Sequence, residues 1–316
     1  MRILITGGMG TLGRFLGREL LARGHEVFSI DVGHGPEEIG FSLRTDVRTP
    51  SYARCDVGEY RQLERVFDQA GPFDVVYHAA AEFGRWNGED FYEQLWRTNV
   101  VGTKNMIRLQ EKLGFRLVQF SSSEVYGDWP ELMVETVMDE HEIKQMNDYA
   151  MTKWVNEMQI ANSAVQHGTE SVIVRIFNTY GPGEYYSPYR SVNCRFMYCA
   201  LAGIPWTVFR GYGRTSTYLS DSVRTLCNIV DTFKPGEVYN IGGDQYHTIE
   251  ELSDLIVAET GASPDLVHYR DSEVLTTRVK RVDNSKAVRD LDHRTTVTLD
   301  EGVRLTVEWM RGIYRF

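Results

Sequence analysis

From Arg2 to Phe177 short apolar runs alternate with amphipathic stretches of helical length, a rhythm that few folds satisfy. Arg2-Ile-Leu-Ile-Thr6 predicts a buried strand, and glycines follow it. Leu12, Phe15, Leu16 and Leu20 then fall at i, i+3, i+4 and i+8, one apolar stripe along a helix. Gly24 ends that helix, and His25–Ile30 predicts the second strand. Further helices are expected around Glu59–Gln69, Phe91–Lys112 and Tyr149–Gln166, and further strands at Asp74–His78, Arg116–Ser121 and Ser171–Phe177. Strands separated by helices pair in parallel, because a right-handed crossover needs a connection of that length. The expected fold class is therefore α/β, with a doubly wound parallel sheet.

After Asn178 the alternation stops. Gly181–Arg190 is turn-rich and aromatic, and only Glu237–Gly243 predicts a strand returning to the sheet. Residues 1–178 are thus expected to form the sheet domain, and 179–316 mainly a smaller lobe interleaved with it. The net charge of −10 argues against a nucleic-acid partner and requires any anionic ligand to be held by local Arg, Lys and N–H groups. No apolar run reaches the roughly 18 residues of a membrane span. Cys55, Cys194, Cys199 and Cys227 form no CxxC pair and no metal-ligand spacing, so reduced thiols and no metal are expected. With the first strand starting at Arg2, no signal peptide is expected and the reading is cytoplasmic.

Gly7, Gly10 and Gly13 give G-x-x-G-x-x-G between the first strand and the first helix. Such a turn needs φ > 0, and a pyrophosphate needs backbone with no side chain in the way. The helix start at Thr11 and Leu12 offers free N–H groups to phosphate. A glycine triplet alone can mark a tight turn; between strand and helix it points to a Rossmann dinucleotide site. Asp31 closes the second strand eighteen residues after Gly13. A carboxylate there accepts from ribose hydroxyls and repels a 2′-phosphate, which favours NAD over NADP, although it could also cap a loop. Asp56 and Val57 suit the adenine edge, and Ala79, Ala80 and Ala81 let backbone pass close to the dinucleotide.

Tyr149 and Lys153 form Y-x-x-x-K on a predicted helix, four residues apart on one face. An ammonium and a nicotinamide charge near a phenol both favour phenolate, so the Tyr149 pKa is expected to fall toward the working pH. Tyr149 would then take a proton from a sugar hydroxyl, and Lys153 would also bind the nicotinamide ribose.

With these residues the chain resembles the extended short-chain dehydrogenase/reductase family, in its nucleotide-sugar epimerase, dehydratase and decarboxylase group. The resemblance runs through Thr6–Gly13, Tyr77–Ala81, Asn99–Thr103, Ser121–Gly127, Tyr149–Lys153, Arg175–Pro182, Arg214 with Tyr218–Asp221, and Arg281–Lys286. It implies NAD as cofactor, a nucleotide-diphosphate sugar as substrate, Asn99 at the cofactor, and a homodimer formed by the helices around Phe91–Lys112 and Tyr149–Gln166. It implies that Ser122 hydrogen-bonds the reacting C4 oxygen, that Ser123 and Asn178 contact substrate, and that Arg214 and Arg281 bind its phosphates or sugar.

In that group the reaction begins with oxidation of C4 to a ketone, which acidifies C5–H and labilises a C5 carboxylate. Ser122-Ser123-Glu124 keeps the glutamate of the lyases and lacks the aspartate of thymidine-type dehydratases. The resemblance therefore implies a lyase, either a hexuronate decarboxylase or a hexose 4,6-dehydratase, with Glu124 catalytic; a 4-epimerase is the alternative. A non-catalytic NAD-binding regulator would have no need of Ser122, Tyr149 and Lys153. Ala81–Asn87 and Leu291-Asp-His293 depart from the family's pattern.

Overall fold

The computed structural model describes residues 1–33 and 50–316. Seven parallel strands form the central sheet: β1 (Arg2–Thr6), β2 (Glu26–Asp31), β3 (Ser51–Arg54), β4 (Val75–His78), β5 (Arg116–Ser122), β6 (Ser171–Ile176) and β7 (Val238–Ile241). Their order is β7-β6-β5-β4-β1-β2-β3, so the chain reverses direction between β1 and β4. That reversal opens a crevice at the carboxyl ends of the strands, where ligands of doubly wound sheets bind.

Period-two alternation builds two cores, one on each face. Ile3, Ile5, Val75, Tyr77, Val118 and Val172 point to one face, and Leu4, Val76, Leu117 and Ile173 to the other. Helices α1 (Thr11–Ala22), α2 (Tyr60–Ala70), α3 (Gly102–Leu113) and α4 (Asp148–His167) are the crossovers and flanks. The helix expected around Phe91–Lys112 is interrupted: Tyr92–Trp96 and α3 are joined by a π-turn over Arg97–Val101.

The chain after Asn178 serves two places. Leu219, Val223 and Leu226, on the helix Leu219–Asn228, pack with Leu16 and Leu20 of α1 in the core of the sheet. Strand β7 pairs with β6 in register Tyr239 to Val174. The rest has its own core, in which Met197, Trp206, Val208, Leu252, Val303 and Val307 are buried. His293, at one of the departures from the family pattern, is a buried brace, hydrogen-bonded to Thr225 Oγ1 at 2.7 Å and to the Gly242 carbonyl at 2.7 Å.

Helix α4 is pinned firmly. Arg175 on β6 donates to Glu157 on α4 at 2.7 Å, both side chains buried, and Ser121 of β5 donates to the same carboxylate. Buried pairs of this kind fix orientation because either charge left alone would be costly.

Candidate active site

A cavity of about 680 Å³ runs along the carboxyl ends of the sheet strands, from the glycine turn to the lobe. Gly7, Gly10, Thr11, Leu12 and Gly13 all line it. Gly7 has φ +69°, and a Cβ on it would lie 2.8 Å from the Ala80 nitrogen. A Cβ on Gly13 would overlap the Gly7 carbonyl oxygen. The turn is therefore closed to side chains, and the first N–H groups of α1 face the cavity without helical acceptors. Thr6 Oγ1 accepts from Ala80 N at 3.0 Å and is itself held by buried His78 at 2.8 Å, which fixes Ala79–Ala81 along the cavity wall. Asp31 lines the cavity too; its two oxygens accept from Met9 N at 2.9 Å and Gly33 N at 3.0 Å. Each oxygen keeps a further lone pair for a ribose hydroxyl. This cradle fits a dinucleotide.

Further along, β5 ends in Ser122, whose Oγ caps the 3₁₀ turn Ser123–Tyr126 by accepting from Glu124 N at 3.2 Å. Helix α4 starts at the Asn147 cap, which accepts from Ala150 N at 2.8 Å, and carries Tyr149 and Lys153 toward the same point. Ser122 and Tyr149 share a side-chain hydrogen bond. Lys153 donates to the Phe120 carbonyl at 2.9 Å, with its Nζ 5.7 Å from the centre of the Tyr149 ring. Burial pulls the Lys153 ammonium down to about 8, against the pull of Glu157. For Tyr149 the expected lowering is not what the chain produces: burial pushes the phenol up to about 12, the Ser122 hydrogen bond offsets this only in part, and Glu124 adds to it. The lysine amine is engaged at a carbonyl, so the protein alone keeps Tyr149 protonated at neutral pH.

Glu124 lies beside this pair. Lys280, 2% exposed at its side chain, forms an ion pair with it, and Asn147 Nδ2 donates to Oε2 at 3.4 Å. Burial pushes the Glu124 carboxyl up, but Lys280, Arg214 and Arg85 outweigh it and hold the carboxyl below its ordinary value. Glu124 is thus a carboxylate, available as a base and already matched to a cation.

The predicted residues do not all converge. Ala79, Ala80, Ala81, Val57, Asn178 and Arg214 line the cavity, with Asn178 at φ +36°. Arg214 is buried and donates to the Gly213 and Arg278 carbonyls at 2.8 and 3.2 Å and to Thr276 Oγ1 at 3.3 Å. Asp56, Asn99, Ser123 and Arg281 lie outside the lining. Asp56 accepts from Gly58 N at 2.8 Å and pairs with Arg97 at 3.3 Å. Asn99 is buried behind the wall, holding Glu82 N at 2.9 Å and Thr152 Oγ1 at 3.0 Å. Ser123 is buried as the turn carries it away from the cavity. Arg281 is exposed over the Tyr246 ring, and its neighbour Lys280 faces inward instead. Arg190 and Arg195, which the sequence reading passed over, line the cavity at the start of the helix Val192–Ala202. Their signal is two arginines flanking a helix start next to an aromatic turn.

The sheet order and the side-chain-free turn define a doubly wound dinucleotide-binding scaffold, with Ser122, Tyr149 and Lys153 together in its cavity. Residues 3–242 match the NAD dependent epimerase/dehydratase family, and the chain belongs to it. It is 29% identical over 326 residues to a UDP-N-acetyl-alpha-D-glucosaminuronate decarboxylase of Bacillus cytotoxicus, covering 99% of this chain and 98% of that one. It is 28% identical over 342 residues to a dTDP-glucose 4,6-dehydratase of Salmonella typhimurium, covering 98% and 92%. Among solved structures, a UDP-glucose 4-epimerase of Thermus thermophilus in complex with NAD superposes with a TM-score of 0.84 at 25% identity, covering 99% and 100%. The chain is an NAD-dependent enzyme, as the motifs led one to expect. Among the described residues no helix is long and apolar enough to cross a membrane.

Proposed function

We propose that the chain is a nucleotide-sugar lyase that works through a 4-keto sugar. The observation that carries this reading is Glu124, an ionised carboxylate in the same cavity as Ser122 and Tyr149 and separate from the hydroxyl pair. Proton exchange at C4 alone needs only the hydroxyl pair. A third, ionised group gives the site a base for C5 or C6.

NAD, when bound along the glycine turn with its ribose at Asp31, supplies the acceptor for the C4 hydride. Ser122 orients the C4 hydroxyl, and Tyr149 takes its proton. Because the chain holds Tyr149 near 12, phenolate forms only when positive charge enters beside it, which couples proton removal to a loaded site. Lys153 holds the nicotinamide ribose in this reading and contributes that charge in part. Glu124 then serves the ketone's neighbouring carbons. Asn178 and the chain after it hold the nucleotide: Asn178, with Arg190 and Arg195 at the helix start, suits a diphosphate. The roles first assigned to Asp56, Asn99, Ser123 and Arg281 become supporting ones in this reading.

The test is incubation with NAD or NADP and a panel of nucleotide-linked hexoses and hexuronates, read by mass spectrometry. Loss of carbon dioxide or of water, with NAD preferred, is the expected result. A product of unchanged mass establishes an epimerase instead, and equal turnover with NADP removes Asp31 from its role.

We also propose a homodimer in the cytoplasm. Val101, Met151, Met158 and Val165 are exposed on or beside α3 and α4, an apolar surface that a partner would cover. The four free, buried cysteines fit a reducing compartment. Sedimentation of the full chain at the monomer mass would refute the dimer, and recovery in the secreted fraction would refute the location.

A further inference from the structure

Resting on the nucleotide-sugar reading, we infer that Arg85 is a specificity-determining residue that, with Arg214, recognises a carboxylate on the sugar, so that the substrate is a nucleotide-linked hexuronate and not a neutral hexose. Arg85 belongs to the segment 81–87 that fits no family pattern. Gly84 there has φ +91°, and a Cβ on it would lie 2.9 Å from the Tyr189 carbonyl oxygen, so the loop turns sharply against the lobe and begins a short helix at Arg85. The turn delivers a side chain only 12% exposed to the cavity wall, where it pairs with Glu273. Its Nε is buried without a partner.

Arg85, Arg214 and Lys280 are three cations whose fields are felt by one another, and Glu124 and Glu273 are the carboxylates facing them. His247, next to Arg214, is held neutral by burial and adds nothing. Among these five groups the cations outnumber the carboxylates by one. Burying an unmatched charge is expensive, and a site that does so is built to receive its counter-ion. Lys280 is spent on Glu124 behind the lining, whereas Arg85 and Arg214 line the cavity and Arg85 Nε–H is free. A sugar carboxylate beside C4 and C5 would meet these donors while Glu124 stays within reach of C5. A neutral hydroxymethyl group would leave the excess unmatched.

The experiment is calorimetric titration of the NAD-loaded protein and of Arg85→Gln with UDP, UDP-glucose and UDP-glucuronic acid. The wild type should bind UDP-glucuronic acid more tightly than UDP-glucose. Arg85→Gln should weaken UDP-glucuronic acid about 10- to 100-fold, the range for one charged hydrogen bond, and leave UDP and UDP-glucose unchanged. Arg85→Lys, which restores the charge, should recover part of the loss. Equal wild-type affinity for the two sugars, or a uniform loss for all three ligands in Arg85→Gln, overturns the inference while the nucleotide-sugar reading stands. Failure of the wild type to bind UDP or either sugar overturns both.

Discussion

Tyr149→Phe should lower the first oxidation step by about 10²–10⁴-fold, the range for loss of a general base, while NAD and substrate still bind. Phenylalanine keeps the ring against which Lys153 rests and removes only the hydroxyl shared with Ser122. The cavity keeps its shape, and α4 stays pinned through Glu157 and Arg175. The measurement is single-turnover reduction of the cofactor, with calorimetry to confirm binding. Near-normal turnover would show that another group carries the proton, and Ser122 would be the next to substitute. A variant that no longer binds NAD would place Tyr149 in the scaffold instead.

Glu124→Gln should separate the two halves of the reaction. If Glu124 serves C5 or C6, C4 oxidation proceeds, a 4-keto sugar accumulates with reduced cofactor, and final product falls by about 10²–10⁴-fold. Glutamine still accepts from Lys280, so the ammonium loses its counter-charge but keeps a hydrogen-bond partner. The stability cost should fall below the 3–5 kcal/mol typical of a buried pair broken outright, since Glu124 is 20% exposed at the cavity. A urea titration checks this independently of activity. Normal product formation without accumulated ketone would remove Glu124 from the lyase step and leave an epimerase, in which hydride return and Tyr149 suffice.

The parts of this enzyme that obey local rules were legible in its sequence. The strand–glycine–helix turn, Asp31 at the end of β2, and Tyr149 and Lys153 on one helical face depend on neighbours close in the chain. Parity and long-range placement were less legible. Arg281 matched by resemblance, but it is exposed over the Tyr246 ring, and the cation that reaches Glu124 is its buried neighbour Lys280. Ser123 shows the same effect in a 3₁₀ turn, where Ser122 and Glu124 face the cavity and the residue between them does not. Asn99 is a binding candidate in one dimension and a backbone brace in three. The shift of Tyr149 expected from Lys153 and the nicotinamide charge is not produced by the chain alone, where burial raises the phenol. Arg85 could not be singled out, since its partner Glu273 lies 188 residues away.

The interleaving of the second half with the sheet has a consequence for how the chain is made. When residue 178 has been added, six strands and the cofactor turn exist as sequence, yet β6 lacks its outer neighbour and α1 lacks the helix that covers Leu16 and Leu20. The missing pieces end at Ile241, 63 residues later. At a synthesis rate of about 5–20 residues per second, that interval is roughly 3–13 s. During it the nascent chain carries an uncovered apolar flank and an open strand edge, the features that recruit chaperones or aggregate. A gene fragment stopping at the apparent end of the dinucleotide-binding half would make that passing state permanent, so the two halves must be inherited, expressed and engineered as one unit.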